Sequence, residues 1–539
     1  MRRATAVMTC LPFVLTMSTL GGPLNPPGAP APTPGPEPRV PIQSLPGDSS
    51  AHHVISQGGS YYLNDNFDCS CTLSFLKIDT SDPVTVDGRG FYIIDRSITA
   101  TPNTHGIIIV EPSSGGEPSV HIENVHIRGW DSAIKGEAPS TRTHFRYSNI
   151  TLKRGYIANT TGSAIDASQY NMDMDEVTVE NSGAHGVVVG NDSSLVRCSI
   201  GSSGLDGVVA GDNTTFDRVL VHDSGGDGIR SGKYSHIVLS NIGASGDDGI
   251  ELGEGSTIDQ CVIEGSTDDG AVLGHDTRLL LSNIGASGDD GVECSTSEGI
   301  VISDSTIHGN TGHGVSGGKD MVIKGSKIKE NFAGAMNVGA DVLVRDSIIT
   351  GGIFAGSYFG FHDNVVMLDL DDPNFTPVQM TNGLHHVEGN HFDIKGTSTA
   401  NLPAVIVLGD RVAFAHNRTI IQDAITPPSR MPPHFITMDG RDHHFHHNSV
   451  EGLTFGTEAA QFLGERHVIE HNIITADNST AIGFIGSVSR SIIRSNTFIN
   501  MSPGAAFPIS GAGNYFAPIV PTSAAGTNTK HDANIVIEP

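Results

Sequence analysis

This 539-residue sequence predicts an all-β solenoid, a single-stranded parallel β-helix with coils of about 21 residues, on three observations. A glycine followed by an apolar residue recurs at Gly186, Gly207, Gly228, Gly249, Gly270, Gly291, Gly314 and Gly334, the first six spaced by 21 residues. An aliphatic column keeps the same beat fourteen positions later, at Ile200, Val221, Ile242, Ile263, Ile284 and Ile328. Each repeat holds only short alternating runs, such as 207–210 and 216–221, parted by Asp, Gly, Ser and Asn; none carries the 3.6-residue period of a helical repeat. A fixed period of this size marks units that cannot close a core alone and bury their apolar faces on one another.

Along the chain, Arg2 and Arg3 precede an apolar run over 4–20, which predicts a secretory signal peptide over residues 1–22. That run is short for a membrane anchor and Thr and Ser interrupt it, so the mature chain is expected to lack a membrane span and to be secreted or held in the cell envelope. Residues 23–50 are proline-rich and cannot pack a core, which makes them an extended spacer. One solenoid is expected over 51–515, because a structure that grows in one dimension escapes the size limit of a single core. Residues 516–539 form a C-terminal segment.

The six cysteines argue against a disulfide framework. Cys198 and Cys261 fall in one column three coils apart, about 14 Å at the ~4.8 Å spacing of neighbouring strands and beyond the ~7 Å Cα limit for a bridge. Cys69 and Cys71 flank a single serine, a spacing poor for bridging each other. All are expected as free thiols, with those at 198, 261 and 294 serving as small apolar core residues.

One column carries chemistry. The residue before the repeat glycine is His185, Asp206, Asp227, Asp248, Asp269, Asp290 and His313, and three successive coils add a second carboxylate, Asp247, Asp268 and Asp289. Asp-Gly is ordinary turn chemistry, the side chain bonding local backbone while glycine takes a positive φ. The doubling exceeds what a turn needs. Stacked carboxylates repel by about 0.8 kcal/mol per pair at 5 Å in water and about 3 kcal/mol at an effective dielectric of 20. Such acids are solvated, raised in pKa or bound to a cation, and Asp247, Asp248 and Asp268 are the expected oxygen ligands of a Ca²⁺ ion.

Beyond residue 341 the rhythm loosens and an asparagine column appears at Asn390, Asn417, Asn448, Asn472 and Asn496, which predicts a hydrogen-bonded ladder. His416, His447 and His471 stand beside it. His385, His443 and His467 align four places further back, with His444 and His446 between. Imidazoles on neighbouring rungs are either ladder residues or ligands for a Zn²⁺-like ion, although no carboxylate or cysteine shows ligand spacing beside them.

The strings GSYYL, VTVDGRGF and IRGWDSAI between residues 54 and 135 resemble the opening coils of bacterial secreted right-handed parallel β-helix repeat proteins of the pectin-lyase-like superfamily. That resemblance implies a right-handed coil and an extracytoplasmic setting, but no single activity. A local resemblance to polygalacturonases lies in Thr267-Asp268-Asp269-Gly270, Gly288-Asp289-Asp290-Gly291 and Gly312-His313-Gly314 on successive coils. It implies Asp289 as general acid, His313 as the residue that assists that acid, and Asp269 and Asp290 as water-activating bases, in inverting hydrolysis with carboxyls about 6.5 to 9.5 Å apart. Ser266 replaces the family's Asn, and Arg345 lacks the lysine that follows it there. On charge alone, Asp289 is the acid expected to keep its proton, having Asp268 and Asp290 beside it.

The formal net charge of −28 and the lack of a basic stripe exclude nucleic acid as a partner. The sequence therefore points to a protein that binds or cleaves polysaccharide, or to a non-enzymatic structural or adhesive surface protein. Scarce exposed aromatics weigh against strong sugar stacking.

Overall fold

The computed structural model describes residues 39–97, 102–110, 119–137, 149–372, 375–395, 403–422, 434–453, 458–476, 480–484, 489–499, 515–516, 519–522 and 534–537. The leader, most of the spacer, and Cys10 lie outside the described residues. Three parallel sheets run the length of the solenoid, and each coil contributes one strand to each. In one coil Thr215–Asp217 belongs to sheet 1, Leu220–Ser224 to sheet 2 and Ile229–Ser231 to sheet 3. Each of these three strands pairs in parallel with its copies in the coils on either side. Helix among the described residues is limited to the single 3-10 turn Ile42–Ser44.

The two periodic columns of the sequence prove to be one packing device. Gly186, Gly207, Gly228, Gly249 and Gly270 sit at the corner entering sheet 3, where an added Cβ would lie 2.4 or 2.5 Å from a methyl of Ile200, Val221, Ile242, Ile263 and Ile284 respectively. The aliphatic column thus occupies the space that glycine leaves, which is why both keep one period. These glycines do not have the positive φ expected of an Asp-Gly turn; close approach, not conformation, requires them. Left-handed backbone occurs instead where sheet 1 turns into sheet 2, at Arg197, Arg218, Leu239, Gln260 and Leu281.

Val208, Ile229, Ile250, Ala271 and Val292 stack inward in register along sheet 3 and are fully buried, while Arg230, Glu251, Val272 and Glu293 point outward between them. Burying each aliphatic side chain contributes about 1.5 to 3 kcal/mol. In the distal half, rings take over the core: Phe392, Phe414 and Phe445 follow one another at 5.9 and 5.5 Å. A polar column lines the sheet 1 to sheet 2 turn, where Ser240, Ser282, Ser305, Ser326 and Ser347 accept amide N–H groups, each from the coil before. Asn364 through Asn496 continue it as a buried ladder of Nδ2 to Oδ1 bonds near 3 Å.

Two boundaries and one cysteine pair differ from the sequence expectation. Val40 and Pro41 already pair with Tyr61 and Tyr62, so coil structure begins inside the segment read as spacer. Asn534–Ile537 pairs with Thr497–Ile499, which brings the C-terminal segment into the stack. Cys69 and Cys71 are joined as a disulfide, against the expected free thiols. The chain turns at Ser70, leaving the strand Phe67–Cys69 and bringing the two Cα atoms to 5.3 Å, within bridging range. Cys198, Cys261 and Cys294 are buried free thiols, as expected.

Candidate functional site

The acidic column occupies the turn from sheet 2 into sheet 3. Each inner carboxylate accepts the amide N–H of its counterpart on the next coil: Asp206 from Asp227 at 3.0 Å, Asp227 from Asp248 at 3.2 Å, Asp248 from Asp269 at 3.0 Å, Asp269 from Asp290 at 2.8 Å and Asp290 from His313 at 2.5 Å. These bonds hold the carboxylates against the wall and account for the single column as structure. They do not account for Asp247, Asp268 and Asp289, which are exposed and project from the same turns.

Neutralisation is uneven along the ladder. Arg230 reaches Asp227 at 2.6 Å, Glu251 at 2.7 Å and Asp206 at 3.7 Å, and His313 Nδ1 stands 3.5 Å from Asp290. Among the described residues no basic side chain comes within ion-pair distance of Asp247, Asp248, Asp268, Asp269 or Asp289. Burial, with the like charges around it, pushes Asp248 up to about 6 and Asp269 up to about 7. Asp289 is raised by partial burial and then by Asp290 and Asp268. Burial also pushes Asp290 upward, but hydrogen bonds from the His313 ring and amide and from Ser316 together outweigh it and hold this carboxyl below its usual range.

Asp269 as well as Asp289, where charge counting put the retained proton, is therefore raised. Desolvation is the larger effect, and Asp289 projects into water. One carboxylate oxygen from each of Asp268, Asp269 and Asp289 lies within 4.8 Å of the others, as does one from each of Asp247, Asp248 and Asp268. That is close enough for one hard cation to span.

Sequence reasoning missed a cleft of about 400 Å³ that opens at His313 and follows the outer face of sheet 3. Its floor is one outward column in which Asn337, Phe354 and Gln379 stand on successive coils, directly after Ser316. Thr376 and Pro377 form a wall. Phe354 is 44% exposed, and Phe332, 60% exposed, stands in the turn one coil beyond His313. Strand alternation in 353–355 was the available signal, but a shortened coil followed by a lengthened one hid the register that aligns Phe354 with Asn337 and Gln379.

The histidines of the distal half resolve into two groups. His385, His443 and His467 face inward and are buried, and His443 and His467 stack with centroids 5.0 Å apart. His416, His444, His446, His447 and His471 lie toward solvent, and carboxylates do stand beside them: Glu470 Oε1 is 3.1 Å from His444 Nε2. A similar trio, His362, His386 and Glu388, spans the coils three and two before that of His446.

Three continuous parallel sheets and a ladder-lined turn define the class of protein. Residues 248–369 match the family described as the right handed beta helix region, and the three parallel sheets make the described chain a parallel β-helix. Solved structures similar to it include the periplasmic alginate epimerase AlgG (12% identity, covering 70% of this chain and 83% of that one, TM-score 0.29). Another is the Azotobacter vinelandii mannuronan C-5 epimerase AlgE4 A-module (14%, 67% and 87%, 0.26). A third is PfbA, a surface adhesin of Streptococcus pneumoniae (10%, 68% and 84%, 0.23). Likeness this distant transfers no activity. No curated protein sequence matches the chain. No helix among the described residues is long and apolar enough to cross a membrane.

Proposed function

We propose that this protein binds a polysaccharide chain along the outer face of sheet 3, from the acidic turns at Asp268 to Asp290 into the cleft beyond His313. The observation that carries the reading is Phe354 standing exposed between Asn337 and Gln379 on the floor of that cleft. A flat apolar ring suits the C–H face of a sugar, and flanking amides supply both donors and acceptors for its hydroxyls. Repeating coils present such groups at about 4.8 Å intervals, close to the length of a pyranose, so an extended chain lies along the stack. The carboxylate trios at Asp247, Asp248, Asp268 and at Asp268, Asp269, Asp289 are the proposed Ca²⁺ ligands, and that ion bridges an anionic glycan to a chain of formal charge −28. Export through residues 1–22 places this surface outside the cytoplasm, which fractionation of tagged protein tests.

A second reading, cleavage, has its own observation. Asp269, pushed to about 7, and Asp290, held low, are an acid and a base of unequal proton affinity on adjoining coils, next to His313. The test is calorimetry against neutral and acidic polysaccharides with and without Ca²⁺, followed by assay of each bound glycan for new reducing ends and unsaturated products. Binding weakened about tenfold or more by Phe354→Ala is the expected result. Failure of every glycan to bind, or binding indifferent to Phe354→Ala, overturns the proposal. Binding without any product leaves a non-enzymatic adhesive role.

A further inference from the structure

We infer that the sheet 1 to sheet 2 turn of the distal half holds a transition-metal ion through His416, His446 and His447. This inference is independent of the polysaccharide site, which lies on another face.

His416 and His447 occupy the left-handed residue of their turns, both with φ 54°. Each is followed at once by a ladder residue, Asn417 or Asn448, and Asn417 Nδ2 donates to Asn448 Oδ1 at 3.1 Å. The buried ladder fixes the height of the two turns, so their imidazoles stack with centroids 4.9 Å apart. His446 ends the outward face of the strand His444–His446, and below it in register is Ala415. That small side chain leaves the space over His416 open to the His446 ring, which meets it nearly edge-on at 5.6 Å. His446 Nδ1 lies 2.9 Å from His447 Nδ1, and one nitrogen from each of the three rings lies within 4.8 Å of the others. Three nitrogens bound to one tetrahedral ion at 2.0 to 2.1 Å stand about 3.3 Å apart, so small side-chain rotations complete the set.

The turn itself does not require imidazole. The same position is Asp363, Gly389 and Ser495 on other coils, and the ladder asparagines already carry the hydrogen bonds there. Glu470 is engaged by His444 at 3.1 Å and by Arg494 at 2.7 Å, which leaves an all-imidazole donor set. Such a set suits Zn²⁺, Cu²⁺ or Ni²⁺ rather than Ca²⁺. Three histidines leave the outward coordination position to water or a ligand. The His444 ring, 3.9 Å from that of His446 and anchored by Glu470, is a positioning residue for the set.

The experiment is titration of chelator-stripped protein with Zn²⁺ at neutral pH, with Co²⁺ loaded in parallel as a spectroscopic probe. One strongly bound ion per chain is expected, with the intense visible bands of low-coordinate Co²⁺. The double variant His446→Gln, His447→Asn should bind at least 100-fold more weakly while melting like the wild type, since Asn tolerates the left-handed turn. His386→Gln, at the other imidazole trio, should leave that affinity unchanged. Absence of a tightly bound ion, unchanged affinity in the double variant, or only the weak bands of six-coordinate Co²⁺ would overturn the inference. If the double variant misfolds, His416→Asn alone reads the same loss.

Discussion

The amide N–H of Asp290 donates to Oδ1 of Asp269 across 2.8 Å, and this bond keeps a carboxylate against the wall of the solenoid that would otherwise turn into water. Repetition of that contact from Asp206 to His313 places five inner carboxylates in one column. Among the described residues, basic side chains meet the column toward its ends, at His185, Arg230 and His313. Burial raises the proton affinity of Asp227 despite Arg230, and most at Asp248 and Asp269, which have no basic partner among those residues.

Asp269→Asn should raise the melting temperature at pH 8. The substitution keeps an oxygen to accept the Asp290 amide and removes a charge. The folded pKa, about 7, lies above the ordinary 3.8, so the carboxyl's favourable contribution is fully present below 3.8 and lost as pH rises through 7. After discounting for solvent screening, the gain is of the order of 1 to 2 kcal/mol. Thermal melts from pH 4 to 8 check it, with the two proteins converging toward the acid end.

His443 sets the opposite slope. It is fully buried, and burial followed by repulsion from His467 pushes its pKa down to about 4. The neutral ring's contribution is present above the unfolded value of 6.5 and is lost as pH falls toward 4, up to about 3 kcal/mol. Valine already fills this column at Val412, so His443→Val should flatten the stability loss between pH 6.5 and 4 in denaturant titrations.

Asn417 donates to Val387 O and Asn448 Oδ1 and accepts from the amide and side chain of Asn390. Asn417→Ala leaves several of these buried groups unpaired, at about 1 to 3 kcal/mol each. A loss of about 3 kcal/mol or more is expected by chemical denaturation.

Millimolar Ca²⁺ should raise the melting temperature of the wild type, because an ion that binds only the folded trios shifts the equilibrium by mass action. Asp268 belongs to both trios, so Asp268→Asn should abolish most of that rise. Calorimetric scans with and without chelator measure it. Equal shifts in both proteins would locate Ca²⁺ elsewhere.

What the sequence determined by itself was everything that repeats. The Gly207 and Val221 columns, the acidic doublets and the asparagine ladder were legible because parallel stacking copies each residue onto its neighbour about 4.8 Å away, turning periodicity into contact. Tertiary structure alone decided what depends on burial and on irregular coils. It raised Asp269 as well as Asp289, because desolvation depends on how deep a side chain lies, which spacing does not encode. It brought Cys69 to Cys71 through a turn, aligned Phe354 with Asn337 across coils of unequal length, and laid His446 over His416. Insertions of different length break the period without breaking the register, and only the hydrogen-bonded stack restores which residues are neighbours.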